Sequence, residues 1–336
     1  MEFNLDTCKY VVWGFKNAYH THSHIHEGFY RTLKLTGKNV LWLDQADDIS
    51  GYDFSNTLFI GEHTAVERGY YWPSNKERIG MMPVRDDCFY VIHGDRAEAK
   101  EALGLDKKNW LMWDVFINQR QYETPKKVML APDMPFYPEW RRFDMRWATD
   151  MVPFEIAAMK PDRVFNRHSR VINWVGTKWH VNQVELGQFK DECERDGVQF
   201  RIMGAGQHGE CYQDAYGHSK VVTVEANIRL VQDSYMAPAI SGTHHITEGY
   251  APCRIFKNIS YGQYGITNSA YVRDLFDVPV IFESDPAALY HHAKQRLAEI
   301  PLKQLHDLMD EVAQKHTYLN RLDGMYKAIR MQQEGI

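Results

Sequence analysis

Along the whole chain, short runs of apolar residues alternate with longer stretches in which apolar positions recur every three or four residues. The first pattern suits buried β-strands and the second amphipathic helices, and their alternation marks a parallel sheet with crossover helices. In the first half, strands are expected at Lys9–Phe15, Asn39–Asp44, Thr57–Gly61, Cys88–His93 and Lys127–Leu130. Between the first two, Glu27–Leu35 can turn Phe29, Leu33 and Leu35 partly toward a sheet, and Gly37 follows as a C-cap, which completes a βαβ unit. Pro132, Pro135, Pro138, Pro153 and Pro161 then break the rhythm, and a domain boundary is expected there.

The rhythm restarts with a strand at Val171–Val175, a helix at Asn182–Arg195 and a strand at Val198–Met203. A helix near Val222–Val231, a strand near Ala237–Ile240, a helix at about Pro252–Tyr261 and short strands at Tyr264–Thr267 and Val280–Phe282 follow. From Pro286 to Arg330 the pattern is helical, with Leu289, Ala293, Leu297, Leu302, Leu305, Leu308, Met309 and Val312 as core contacts.

A length of 336 residues suits two domains, each with its own core. Nine Trp and nineteen Tyr suit stacking on sugars and bases, and equally a well-packed core. The formal charge of -5 gives no reason to expect a nucleic-acid partner, and none is expected. Cys8, Cys88, Cys193, Cys211 and Cys253 are scattered and form no CxxC pair, so neither a disulfide framework nor a zinc knuckle is indicated. The opening MEFNLDTCKYVVWGF lacks a basic segment followed by a long apolar run, and no stretch approaches a membrane span in length. A cytoplasmic location is therefore expected, with peripheral membrane contact left open.

The most informative stretch is Ser241–Ser269, SGTHHITEGYAPCRIFKNISYGQYGITNS. After a polar loop and Gly249, Pro252 stands where a first helical turn begins. The unpaired N–H groups of that turn form an anion site, and Arg254 and Lys257 add positive charge at i and i+3. This segment resembles the donor-binding segment of GT-B glycosyltransferases. The resemblance continues in VINWVGTK, with Gly176 and Lys178 after the first strand of the second domain, and in VQFRIMGAGQHG, with Gly204 and Gly206 after the next. Asp285 and Pro286 resemble the late strand-to-helix junction, and the helix around His316–Ala328 the terminal helix that crosses back to the first domain.

The resemblance implies two Rossmann-like α/β domains whose parallel sheets face a central cleft. It divides the chain into an acceptor-side domain at 1–165, a nucleotide-sugar donor domain at 166–315 and a returning helix at 316–336. Arg254 and Lys257, with Ile255 between them, would hold the diphosphate of a GDP- or UDP-linked sugar, with a slight lean to GDP. His245, Glu248 and Gly249 would line the sugar, and Gly176 would let backbone approach phosphate. Transfer to a glycan or another hydroxyl acceptor would need neither metal nor cofactor. One departure stands out: many retaining members carry two glutamates separated by seven residues, whereas Phe256 stands eight positions after Glu248. Retention or inversion is therefore left open.

His20, His22, His24 and His26 alternate directly after the first strand, where ligands meet open parallel sheets. His24 is the first candidate for the base that takes the acceptor proton, with Glu27 next and Asp95 in HGDR a third. Several of these histidines are expected only to cap the following helix. A His-x-His after a first strand also opens the zinc site of metal-dependent amidohydrolases, with His63, His93, His244 and His245 as further ligands, but that enzyme needs a single barrel. A nucleotide-sugar or glycan-binding module without chemistry, and a nucleotide-sugar epimerase of the same fold, are the remaining alternatives.

Overall fold

A computed structural model describes residues 2–16, 21–44, 47–62, 82–94, 109–116, 126–176, 180–203 and 222–335. The chain forms two compact units. The first comprises residues 1–115, 120–146 and 321–336, and the second residues 116–119 and 147–320. The break expected at 165/166 falls inside the second unit because Met151, Ile156, Val164 and Phe165 belong to that unit's core.

In the first unit, β1 (Lys9–Trp13) leads into α1 (Thr21–Leu35), followed by β2 (Val40–Leu43), β3 (Thr57–Glu62), β4 (Phe89–His93) and β5 (Trp110–Asp114). A hairpin of β6 (Val128–Ala131) and β7 (Met134–Tyr137) then precedes β8 (Arg142–Asp144). The eight-stranded sheet has the order β2-β1-β3-β4-β5-β8-β7-β6. It is parallel from β2 to β8 and antiparallel across β8, β7 and β6.

Strands β3 and β4 are buried along almost their whole length, as a parallel sheet covered on both faces requires. One face packs Val11, Trp13, Phe59, Tyr90 and Ile92 together, with Phe59 and Tyr90 stacked 5.0 Å apart. Against Trp113 of β5 rests Phe29 of α1, edge-on at 6.0 Å. Among the described residues the sheet runs from β2 to β6 without closing, so they form no barrel of the kind an amidohydrolase needs.

The second unit opens with α2 (Pro153–Ala158) and β9 (Val171–Val175), then α3 (Gln183–Arg195), β10 (Gln199–Met203), α4 (Val224–Gln232) and β11 (Pro238–Ala239). Next come α5 (Thr243–Thr247), α6 (Cys253–Ser260), β12 (Ile266–Thr267), α7 (Ala270–Arg273) and β13 (Ile281–Phe282). The helices α8 (Pro286–Glu299), α9 (Leu302–Lys315) and α10 (Tyr318–Glu334) close the chain, and α10 passes from the second unit into the first at Arg321. β10 pairs with β9, and β11, β12 and β13 pair in that order, all parallel. Tyr235 N–H donates to the Val171 carbonyl at 2.7 Å and ties the two strand groups together. No helix among the described residues is long and apolar enough to cross a membrane.

Within the first unit, buried Arg142 holds two carboxylates, Asp114 at 3.3 Å and Asp144 at 2.8 Å. Burial pushes the Asp144 carboxyl above its ordinary range and Arg142 opposes that shift. Replacing Arg142 with Leu takes the guanidinium away from two carboxylates and is expected to cost about 3–5 kcal/mol at neutral pH. The loss should be smaller in acid, where a protonated carboxyl tolerates burial, and urea unfolding at the two pH values checks it.

Candidate functional site

The donor-side candidates converge at the carboxyl end of β9. The strand VINWV buries Ile172, Asn173 and Trp174 and delivers Val175 and Gly176 to its end. Helix α6 begins after Pro252, whose position makes no side-chain cap, so its first turn keeps N–H groups directed outward. Every residue of α6 from Ile255 to Ser260 is buried, which leaves Arg254 in the first turn as its partly buried cation. Gly262, with φ of 90°, terminates the helix as the left-handed residue after Tyr261.

Arg254 reaches back to β9. Its Nε donates to the Val175 carbonyl at 2.8 Å, and its guanidinium lies 3.7 Å from the centre of the Trp174 ring. A Cβ at Gly176 would collide with that guanidinium, so only glycine leaves room for it. Loss of water around the group pushes its pKa down to about 10, which still leaves it charged at neutral pH. Among the described residues Arg254 has no carboxylate partner. Gly176 and Arg254 thus meet as one unit, a strand end, a helix N-terminus and an uncompensated cation, which is a physical description of an anion site.

Lys257 sits one turn further along α6 and is only 5% exposed. Its ammonium pairs with Asp150 Oδ2 at 2.7 Å, and the Tyr261 hydroxyl donates to Asp150 Oδ1 at 2.7 Å. Lys257 is therefore already neutralised, and the charge facing an anion at the helix start belongs to Arg254. The Ile255 side chain is fully buried in the core. Phe256, where a second glutamate would stand, stacks on His316 at 4.7 Å as another core residue. Asp150 and Trp174 were missed in the sequence: Asp150 stands in the proline-rich stretch read as a boundary, and Trp174 reads as an ordinary strand residue.

The loop between β11 and α6 carries the other donor-side candidates. His245 packs against Tyr250 with tilted rings 4.7 Å apart, and Tyr250 accepts a hydrogen bond from Trp147 Nε1 at 3.0 Å. Burial first, and then the charges of His244 and Arg254, hold the His245 pKa below its ordinary value, so its imidazole is neutral at neutral pH. Glu248 caps the end of α5, and Gly249 follows with φ of 65°. The role of Gly249 is the left-handed turn itself. Lys178, Gly204 and Gly206 lie outside the described residues.

In the first unit the histidine run is helical. α1 begins at Thr21, earlier than the expected Glu27, so residues two apart lie on different faces. His22 and His26 lie one turn apart on the sheet side, whereas His24 is rotated about 200° from His22. Glu27 follows His24 at i+3 on that second face. His26, inside α1 and buried, donates through Nδ1–H to the Gly14 carbonyl at 2.8 Å and so clamps the turn after β1 rather than capping the helix. Asp95, His20 and His63 lie outside the described residues. A Gly176→Ala variant should fold but drive the guanidinium off Trp174, and is expected to weaken diphosphate binding roughly tenfold or more, read by calorimetry.

At the level of sequence, no family model and no curated protein matches the chain. Solved structures do. An alpha-glucosyltransferase in complex with UDP and a 13-mer DNA containing a HMU base aligns with a TM-score of 0.59 at 8% identity, covering 96% of this chain and 99% of that one. An alpha-glucosyltransferase with UDP-glucose and DNA containing an abasic site aligns at 0.59 and 10% identity, over 96% and 98% of the two chains. A third, an alpha-glucosyltransferase in complex with UDP, aligns at 0.57 and 9% identity, over 96% and 100%.

These structures correct the expectation that no nucleic acid is involved, because proteins of this fold are solved on DNA. Net charge sums over the whole chain, whereas phosphate recognition is local. Here Arg163, Arg167, His168 and Arg170 are all exposed, and among the described residues the three arginines make no ion pair. At such low identity the likeness is one of fold, and the fold of this chain is GT-B, the two-unit α/β architecture of nucleotide-sugar glycosyltransferases.

Proposed function

We propose that the protein is a glycosyltransferase that takes a sugar from a uridine-diphosphate donor and delivers it to a hydroxyl group on a nucleic acid. The observation that carries the reading is the Arg254 guanidinium, held on Trp174 beside Gly176 without a carboxylate partner among the described residues. When the sugar leaves, negative charge develops on the diphosphate. A fixed guanidinium and the outward N–H groups of α6 stabilise that charge with little reorganisation. His245, neutral and beside the same helix, suits a hydrogen bond to a sugar hydroxyl.

Uridine replaces the earlier lean to GDP because the structures that share this fold hold UDP or UDP-glucose. The nucleic-acid acceptor rests on their DNA and on the exposed arginines of residues 163–170. His24 and Glu27, sharing one face of α1, are the groups proposed to take the acceptor proton.

The direct experiment offers the full chain radiolabelled UDP-glucose with DNA containing a HMU base, with ordinary DNA and with no acceptor. Label is expected on the modified DNA, and GDP-glucose should give none. Donor binding without transfer to any acceptor would point instead to a binding module, and conversion of the sugar without an acceptor to an epimerase. Changing Arg163, Arg167 and Arg170 together to Glu should weaken DNA binding and lower the slope of log affinity against log salt by roughly 2 to 3, leaving UDP affinity unchanged.

A further inference from the structure

We propose that His22, Glu62 and His93 form a binding site for one divalent transition-metal ion of the zinc class. Among the described residues they are the group of three whose ligand atoms all lie within 4.8 Å of one another. The site is built entirely from first-unit residues, so it stands whether or not the sugar-transfer reading holds.

The placement follows from topology. Glu62 and His93 are the last residues of the parallel neighbours β3 and β4 and face each other in register. His22 projects from the first turn of α1, and its Nε2 lies 3.2 Å from His93 Nδ1. Two nitrogens bound to one tetrahedral ion with bonds near 2.0 Å would stand about 3.3 Å apart, so the pair already has the spacing of one edge of such a site. The third corner is the Glu62 carboxylate, 2% exposed, whose negative charge favours a cation in this position.

The rings are held in place. His93 packs on Trp113 at 4.6 Å and His22 on Phe15 at 5.5 Å. Phe15 itself adopts a left-handed backbone with φ of 58°, costly for an aromatic residue. Its neighbour Gly14 is clamped through its carbonyl by His26 and by Trp42 Nε1 at 3.0 Å. This strained turn keeps the Phe15 ring against His22, which is the kind of support that orients a ligand.

The donor set selects the ion class. Two imidazoles and one carboxylate suit Zn²⁺ and neighbouring first-row ions, whereas Mg²⁺ and Ca²⁺ prefer all-oxygen sites. Three protein ligands leave a coordination position open, which a water or a hydroxyl oxygen would fill.

The test uses the full chain, stripped with a chelator and titrated with Zn²⁺ against a chromophoric competitor. One equivalent should bind, and Co²⁺ should give the strong visible bands of a four- or five-coordinate site. His22→Ala and His93→Ala should each weaken binding more than about 100-fold, beyond the loss typical of an outer-shell partner, while His168→Ala, an exposed control, should not. Glu62→Gln should weaken binding and shift the Co²⁺ bands. Circular dichroism confirms that each variant folds, and if one does not, the Co²⁺ spectrum of the unaltered chain decides. The proposal is overturned if no stoichiometric binding occurs, if the bands are the faint ones of aqueous Co²⁺, or if folded His22→Ala and His93→Ala keep the affinity of the unaltered chain.

Discussion

The proposed anion site depends on a guanidinium that stays charged with no carboxylate partner among the described residues. Arg254 is placed by a carbonyl, an aromatic face and the missing side chain of Gly176. A cation over a desolvated indole is stabilised by roughly 2 kcal/mol, enough to order the side chain and not enough to neutralise it. The adjacent N-terminus of α6 adds positive potential, so a dianionic ligand is the natural complement. Lys257, one turn away, shows the opposite solution. Its charge is consumed by Asp150, and that pair anchors the helix to the segment before α2.

This division of labour between two cations explains why spacing misleads. Arg254 and Lys257 share a helix face in any i, i+3 pattern, and both read as phosphate contacts. What separates them is a partner more than a hundred residues earlier in the chain, which no local pattern encodes. Gly176 and Arg254 belong to separate motifs, and the physical reason for the glycine emerges only when the two meet. Similarly, the four alternating histidines read as a single run after the first strand. Helical geometry splits them, uniting His22 with His93 and leaving His24 with Glu27.

The larger architecture was more legible, because burial of parallel strands writes itself as apolar runs. Val171–Val175 is a strand with the expected bounds, and most other strands begin or end within a residue or two of the apolar run. The strand β5 escaped because WLMWD lacks β-branched residues, although it is buried nearly throughout. Strands β7 and β8 lie among prolines that read as a break. There, Pro135 is tolerated in a hairpin strand, and Arg142 ties β8 to β5 through Asp114. Global charge was the least informative quantity, since it averaged away the arginines of residues 163–170.

The measurement closest to the central claim is a calorimetric titration of the full chain with UDP, repeated on Arg254→Ala. UDP should bind the unaltered chain, and the variant, still folded, should bind roughly 10- to 100-fold more weakly, the range for losing a charged hydrogen bond to phosphate. Equal UDP affinity in the two proteins, or no UDP binding by the unaltered chain, would contradict that claim.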